Sequence, residues 1–488
     1  MLTAGQEVSS GAMGAGGTTL WSAHLRKVLM AFIMLTAVGF VFVDSRLLSS
    51  CGVAALGLYL VLAWRQFGFG TWVPVLMALG GLGAALWQGV DSEVLWRAVD
   101  RMLFLAGLIA MLGTLRSAAE IAPEVHQAGL FITGQPASRR YLVMTSGAHF
   151  FGVLINLGGL ALLLDLIKRS VTSGAAAQLP AEAQEARLRR MTLAVIRGFS
   201  LVSLWSPFGF ATNAILISIP GLNYMSFGPI GFGMSFVFIS IGWAFDHWAG
   251  RRFRRFGLPR PNPPPGSWKG GIALAAHVVA LGGVVLLVQK ATPLSFQQGL
   301  ICALPCYAFL WAAVSAWRAP PGGPTAGIAE MSRTTWDRLS GLGDEVGVFA
   351  SAGFLPLALL PLIPLEELRN LVSAMGLGAL SLAMGLSVSI IGLALLGVNP
   401  IVVASVLGAI GAELSVPGLS DTAIALAITG GWTAVIGLSP FITTLVVSSS
   451  IVGRSSSRIG LRWNGSYSLA IFVVWSMMLS ALMITGLI

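Results

Sequence analysis

Charge is what this chain has least of. Asp, Glu, Lys and Arg make up 10% of its 488 residues, where a soluble globular protein carries about 25%, so a water-soluble globular fold is excluded. Cysteine is nearly absent: Cys51, Cys302 and Cys306 all fall in apolar stretches, which rules out a disulfide framework. Cys302 and Cys306 share a helix face, but without His or acidic neighbours they suit packing better than metal binding. No G-x-x-x-x-G-K-[ST] segment occurs, so nucleotide hydrolysis is not the expected driving force, and no cofactor or metal is indicated. Alternating strands with short turns are missing, which argues against a β-barrel. The loops expected outside are short, and Asp91, Glu93, Arg97 and Asp100 form the one dense charged group there. An integral-membrane transferase or polymerase acting on a lipid-linked substrate would need more, so an enzyme is the weaker reading.

What is present is apolar: 56% of the residues are hydrophobic and the mean hydropathy is +0.83. The net charge of +10 sits in loops between apolar runs, where it sets topology rather than binding nucleic acid. An all-α polytopic membrane protein follows, since about 20 residues of helix cross the bilayer core. The Gly-rich tail 1–24 is expected to be disordered. His24, Arg26 and Lys27 stand at the start of an extra N-terminal helix (25–48), as in a signal anchor without a cleavage site. Apolar runs follow at 49–64, 71–88, 102–115, 141–167, 191–219, 226–248, 271–289, 294–317, 346–363, 371–397, 422–451 and 467–488. The short run 400–411 reads as interfacial or half-inserted. The Pro- and Arg-rich stretch 250–270 reads as a cytoplasmic linker between two halves, and 318–345 as a second loop.

The halves resemble each other. Gly198, Ser206, Pro207 and Phe208 recur as Gly431, Ser439, Pro440 and Phe441, an offset of 233. The run Gly159-Leu160-Ala161-Leu162-Leu163 recurs at Gly392-Leu393-Ala394-Leu395-Leu396 on the same offset. Charge then orients the copies. If 141–167 crossed the membrane once, the loop with Lys168, Arg169, Arg187, Arg189 and Arg190 would lie outside, against the positive-inside rule. A re-entrant hairpin turning at Asn156-Leu157-Gly158-Gly159 keeps every strongly basic loop inside. Its duplicate, 371–397, is expected to be a hairpin with Ser387 and Ser389 at its tip, entering from the opposite face. The expected architecture is therefore an inverted-topology repeat, 49–249 and 271–488, with broken helices at 191–219 and 422–451. The N-terminus is expected in the cytoplasm and the C-terminus outside.

Such repeats place a site at their interface. Pro207 and Pro440 each free a backbone carbonyl inside a span. Beside them stand Ser206, Thr212 and Asn213 in one copy and Ser439, Thr443 and Thr444 in the other. A plain proline kink would explain either span alone; repetition beside two hairpins favours a site. Asn156, Gly158, Ser387 and Ser389 complete the expected lining. His149, Asp165 and Arg197 are ionisable groups in or near spans and thus candidates for a proton or charge relay, with Asp165 and Arg197 close enough to pair. Asp246, His247 and His277 suit interfacial or packing roles. The 80–85 stretch, Gly-Gly-Leu-Gly-Ala-Ala, favours close helix contact, as at a dimer interface.

The segment Ser206-Pro207-Phe208-Gly209-Phe210-Ala211-Thr212-Asn213 resembles the T-P-x-G-T-P-P-N type signature of the ion transporter superfamily. That group includes arsenite and Na+/H+ antiporters, divalent-anion symporters and the large membrane subunit of tripartite (TRAP) transporters. The resemblance implies two inverted repeats, hairpins meeting at a central substrate, a homodimer and elevator-like motion. The expected function is secondary transport of a small anionic solute across a bacterial-type inner membrane, coupled to H+ or Na+. A variant reading is the membrane subunit of an importer that needs a periplasmic solute-binding protein.

Overall fold

The computed structural model describes residues 10–43, 45–173, 176–251, 263–318 and 323–488, with side chains from Trp21 onward and excepting Arg318. Every regular element among them is a helix. In chain order these are α1 (Ser10–Phe42), α2 (Arg46–Ala63), α3 (Phe69–Trp87), α4 (Ser92–Ile121), the short α5 (Pro123–Thr133), α6 (Arg140–Ile155) and α7 (Leu157–Thr172). Next come α8 (Ala181–Ser200), α9 (Val202–Trp205), α10 (Phe210–Ser218) and α11 (Tyr224–Gly250). Then follow α12 (Trp268–Ala291), α13 (Phe296–Arg318), α14 (Gly323–Leu339), α15 (Gly343–Leu359), the short α16 (Leu365–Ala374), α17 (Ala379–Leu395) and α18 (Pro400–Leu414). Last are α19 (Asp421–Ile436), α20 (Thr443–Val452), a wide helical turn (Arg458–Asn464) and α21 (Gly465–Ile484). Ten helices in the described residues are long and apolar enough to cross a membrane.

The order from α4 to α11 is written again from α15 to α21: a buried span, a short helix, two helices joined at a tip, a broken helix, and a closing span. The centre consists of α4, α8–α10, α15 and α19, whose residues are buried nearly all round, whereas α1–α3, α12 and α21 turn large apolar side chains outward. Basic residues mark one end. There Lys27 meets Asp337, Arg338 meets Glu120, and Arg454 and Arg458 grip Glu185. Arg46, Arg97, Arg101, Lys290 and Arg369 belong to the opposite end, where Arg46 pairs with Glu93.

The first tip is where the sequence puts it. Asn156 has φ +55° and ψ −133°, and a Cβ on Gly159 would stand 2.9 Å from the Phe151 carbonyl oxygen, so the chain reverses sharply. Both arms then lie against α5: Gly147 of α6 packs on Ile132, and Leu166 of α7 on Gly129. The second tip is elsewhere than expected. Ser387 and Ser389 lie inside the unbroken α17, and the chain turns at Gly397 (φ +95°) before Asn399 caps α18. Leu386 of α17 faces Gly411 of α18, so 400–411 belongs to the returning arm of this pair rather than to a separate interfacial segment. Asn399 accepts the Ile401 N–H at 3.0 Å and Pro400 occupies the first helical position, a strong helix start.

The offset of 233 explains the misplacement. Gly198 lets α8 approach the Thr145 backbone, and Gly431 lets α19 approach the Ser387 backbone in the same way. From Thr145 to Gly198 is 53 residues and from Ser387 to Gly431 is 44, nine fewer. The 233 register holds across the broken helices and cannot extend to the hairpins, so the Gly159–Gly392 match pairs the first turn of α7 with the last turns of α17. Two smaller expectations also change. Residues 10–24 belong to α1 rather than to a disordered tail, 1–9 lying outside the described residues. The 318–345 stretch contains the helix α14. Of the 250–270 linker, 252–262 lies outside the described residues, and 263–267 is coil and turn before the helix at Trp268.

Candidate functional site

Both breaks interrupt a span at Ser-Pro. The first leaves α9 at Trp205 and restarts at Phe210; the second leaves α19 at Ile436 and restarts at Thr443. Each Ser side chain stabilises its own break. Ser206 Oγ accepts the Phe208 N–H at 3.3 Å, and Ser439 Oγ donates to the Ala394 carbonyl at 2.7 Å, tying the break to the end of α17. Asn213 Nδ2 donates to the carbonyls of Pro207 (3.1 Å) and Gly209 (3.0 Å), the second of which also accepts the Asn213 backbone N–H at 3.2 Å as the helix restarts. The two broken helices cross where the hydroxyls of Ser203 and Thr433 meet at 2.9 Å.

A cavity of about 540 Å³ opens toward the basic end and reaches both tips and both breaks. Asn156, Gly397 and Asn399 line it from the tips; Phe208, Phe210, Phe441 and Thr443 line it from the breaks. Among its charged lining residues, Arg116, Asp337, Arg338, Asp344 and Glu345, the pair Arg116–Glu345 is one that sequence reading missed. Arg116 Nη1 lies 3.1 and 3.3 Å from the Glu345 carboxylate oxygens, while its Nη2 is buried without a partner. Nothing local could have found this pair, whose members lie 229 residues apart. Asp344, at the mouth, accepts from Thr71 Oγ1 (2.6 Å) and the Gly68 N–H (2.8 Å).

A second cavity, about 950 Å³, enters from the opposite end beside Arg97, Asp100, Arg101 and Tyr224. One helix touches both: Phe210 and Ala211 line the first, and Leu216 to Ser218 the second. The residues between them, Thr212 to Ile215, are buried to within 1%. At 1.5 Å per residue this barrier is roughly 7 Å thick. Thr212 Oγ1 and Asn213 Oδ1 lie in it, buried and without partners.

The expected site residues therefore divide. Asn156, Thr443 and Thr444 line the first cavity. Ser206, Pro207, Ser439 and Pro440 shape its breaks, and Thr212 and Asn213 form the barrier. Gly158 sits by the Glu120 carboxylate and Ile155. Ser387 is fully buried and donates to the Ala427 carbonyl at 2.7 Å, and Ser389 is half-buried on α17, well before the tip. Asp165 pairs with Arg169 at 2.7 Å, not with Arg197. Arg197 instead donates to Asn464 Oδ1 at 2.8 Å and stacks over Tyr467, and Asn464 donates on to the Gly437 carbonyl at the end of α19. This buried cation thereby supports the second break through the negative end of a helix. His149 uses both ring nitrogens: Nδ1 faces the Gly198 carbonyl at 3.2 Å, and Nε2 accepts the Trp205 indole N–H at 2.9 Å. It holds α6 to the first broken helix and does not line either cavity. Of the 80–85 stretch, Gly81 packs on Leu359 within the chain, while Gly80 and Gly83 face open space.

No family model and no curated protein sequence matches the chain. Solved structures do. The YdaH transporter of Alcanivorax borkumensis, described as having an unusual topology, superposes with a TM-score of 0.59 at 17% identity, over 86% of this chain and 99% of that one. MtrF of Neisseria gonorrhoeae, described as illuminating a class of antimetabolite efflux pumps, superposes with a TM-score of 0.52 at 13% identity, over 86% and 97%. The chain thus shares the fold of these solved membrane transporters over most of its length.

Proposed function

We propose that the protein is a secondary active transporter of a small anionic solute, working by alternating access across the inner membrane. One observation carries this reading: two hairpin tips and two helix breaks, drawn from both halves of the chain, converge on one cavity. Arg116 supplies the preference for an anion, since its buried Nη2 has no partner and an unpaired donor at a charged group costs free energy until a ligand accepts from it. Asn156 and Thr443 supply neutral polar contacts. The orphan oxygens of Thr212 and Asn213, beside the carbonyls of the first break, suit a coupling cation, Na+ or H+. Read with the positive-inside rule, the cavity opens to the cytoplasm and the two repeats are inverted. The hairpins and broken helices then move as an elevator against α4 and α15, in a homodimer. Kinship with the ion transporter superfamily, suggested by the 206–213 segment, belongs to this proposal. The fold likeness to YdaH and MtrF supports transport and leaves the cargo open.

The test is reconstitution of the purified chain into liposomes under an imposed H+ or Na+ gradient, with a panel of labelled mono- and dicarboxylates and oxyanions. Uptake of one class, driven by one gradient and lost in Arg116→Gln and, at unchanged melting temperature, in Thr443→Val, is expected. Uptake only after adding an external solute-binding protein would favour the importer-subunit variant. If no anion moves and none raises the melting temperature, the reading fails.

A further inference from the structure

A second buried cationic cluster lies away from the transport cavity, at the basic end, where the base of the first hairpin meets α8 and α11. Arg140, Arg187 and Arg190 surround a small cavity of about 20 Å³ together with Asp246. Arg190 and Asp246 neutralise each other through two hydrogen bonds, 2.7 and 2.6 Å. The other two arginines have no such counterion. Arg140 and Arg187 are each 7% exposed. Arg140 spends Nε on the Gln135 carbonyl at 3.2 Å, leaving Nη2 without a partner, and Nε and Nη1 of Arg187 have none either.

Two buried guanidinium groups lining one gap, with three unsatisfied nitrogens between them, make an unstable arrangement. A buried unpaired charge is expensive, and two of like sign repel. The gap admits about one oxygen atom. Planar guanidinium forks match phosphate oxygens in geometry and charge. The location also fits: Trp248, 71% exposed two residues beyond Asp246, is the kind of aromatic that settles at headgroup depth. We infer that this cluster binds a phosphate group, one oxygen of which enters between Arg140 and Arg187 and clamps α6 to α8. The source is either the phosphodiester of an anionic lipid or inorganic phosphate. The site stands independently of the transport reading.

The experiment is thermal unfolding of delipidated protein in detergent, with dioleoylphosphatidylglycerol, dioleoylphosphatidylcholine or inorganic phosphate added. A rise of several degrees with phosphatidylglycerol but not phosphatidylcholine assigns a lipid headgroup; a rise with inorganic phosphate assigns the free anion. Arg140→Gln and Arg187→Gln should each abolish the rise, and without additive each should melt at or above the parent temperature, because an uncompensated charge has gone. Arg454→Gln removes a positive charge from the same end without touching the cavity and should keep the full rise. Native mass spectrometry of the unaltered protein gives an independent reading, a retained phosphatidylglycerol or phosphate adduct. The proposal is overturned if neither probe shifts the parent and no adduct is retained, if the glutamine variants keep the shift, or if Arg454→Gln loses it equally.

Discussion

The two hairpins make the same turn by different means. The first pivots on Asn156, a non-glycine residue at φ +55°, and continues into α7 with no loop. The second spends Gly397 on its positive φ and starts α18 with an Asn399 cap and Pro400. Beneath them, α5 is held to α13 by Glu124, which accepts from Trp311 (2.8 Å) and Ser315 (2.7 Å). Its counterpart α16 is held by Arg369, which donates to the Glu413 and Leu414 carbonyls at the end of α18. What the halves keep in common is backbone geometry at a few close contacts; side-chain chemistry has diverged around it.

The sharpest way to break this comparison is at the paired glycines. Gly198→Leu and Gly431→Leu would both drive a side chain into a backbone carbonyl, the ideal Cβ already standing 2.1 Å from Thr145 O and 2.5 Å from Ser387 O. Both should yield no monodisperse protein in size-exclusion chromatography; tolerance of one alone would end the equivalence of the contacts. Next come the pivots. Asn156→Ala should lose about 1–3 kcal/mol through strain at positive φ, whereas Asn156→Gly should keep the melting temperature and lower transport by removing a cavity amide.

A smaller effect separates anchor from lining. Ser387→Ala should cost about 1 kcal/mol for a buried hydrogen bond with transport KM unchanged, while Thr443→Ala should raise KM and leave the melting temperature alone. The least effect concerns the supports. Burial alone would raise the Glu124 carboxyl, but hydrogen bonds involving His277, Trp311 and Ser315 bring it down to about 2. Its folded value lies below its unfolded value, about 4.3. The stabilisation is therefore present above that pH and declines as pH falls toward 2. Acid unfolding scans should show Glu124→Gln flattening this decline, with Arg369→Gln leaving its midpoint and slope unchanged.

Spans, both breaks and the first tip were legible because apolar length, proline and charge parity are local or nearly local signals. The second tip was not, because a coincidental Gly-Leu-Ala-Leu-Leu match outweighed a better signal, Asn399-Pro400, which announces a helix start. Ser206, Thr212 and Asn213 stand at a break yet line neither cavity: Ser206 accepts the Phe208 N–H, Asn213 donates to two carbonyls of the break, and Thr212 is buried in the barrier. Arg116 and Glu345 meet only through the packing of α4 on α15, which no pattern in either helix encodes.

The interlocking of the halves bears on how the protein is made. The return arm α7 packs on α20, and α10 packs on α18, so partners for the first half are synthesised only near the end of the chain. A nascent chain that has emerged as far as α11 lacks these partners of its first hairpin and first broken helix until residue 452 follows. Ribosome stalling or truncation before α20 should leave a membrane-inserted intermediate open to proteolysis along α7, and quality control would act on that species.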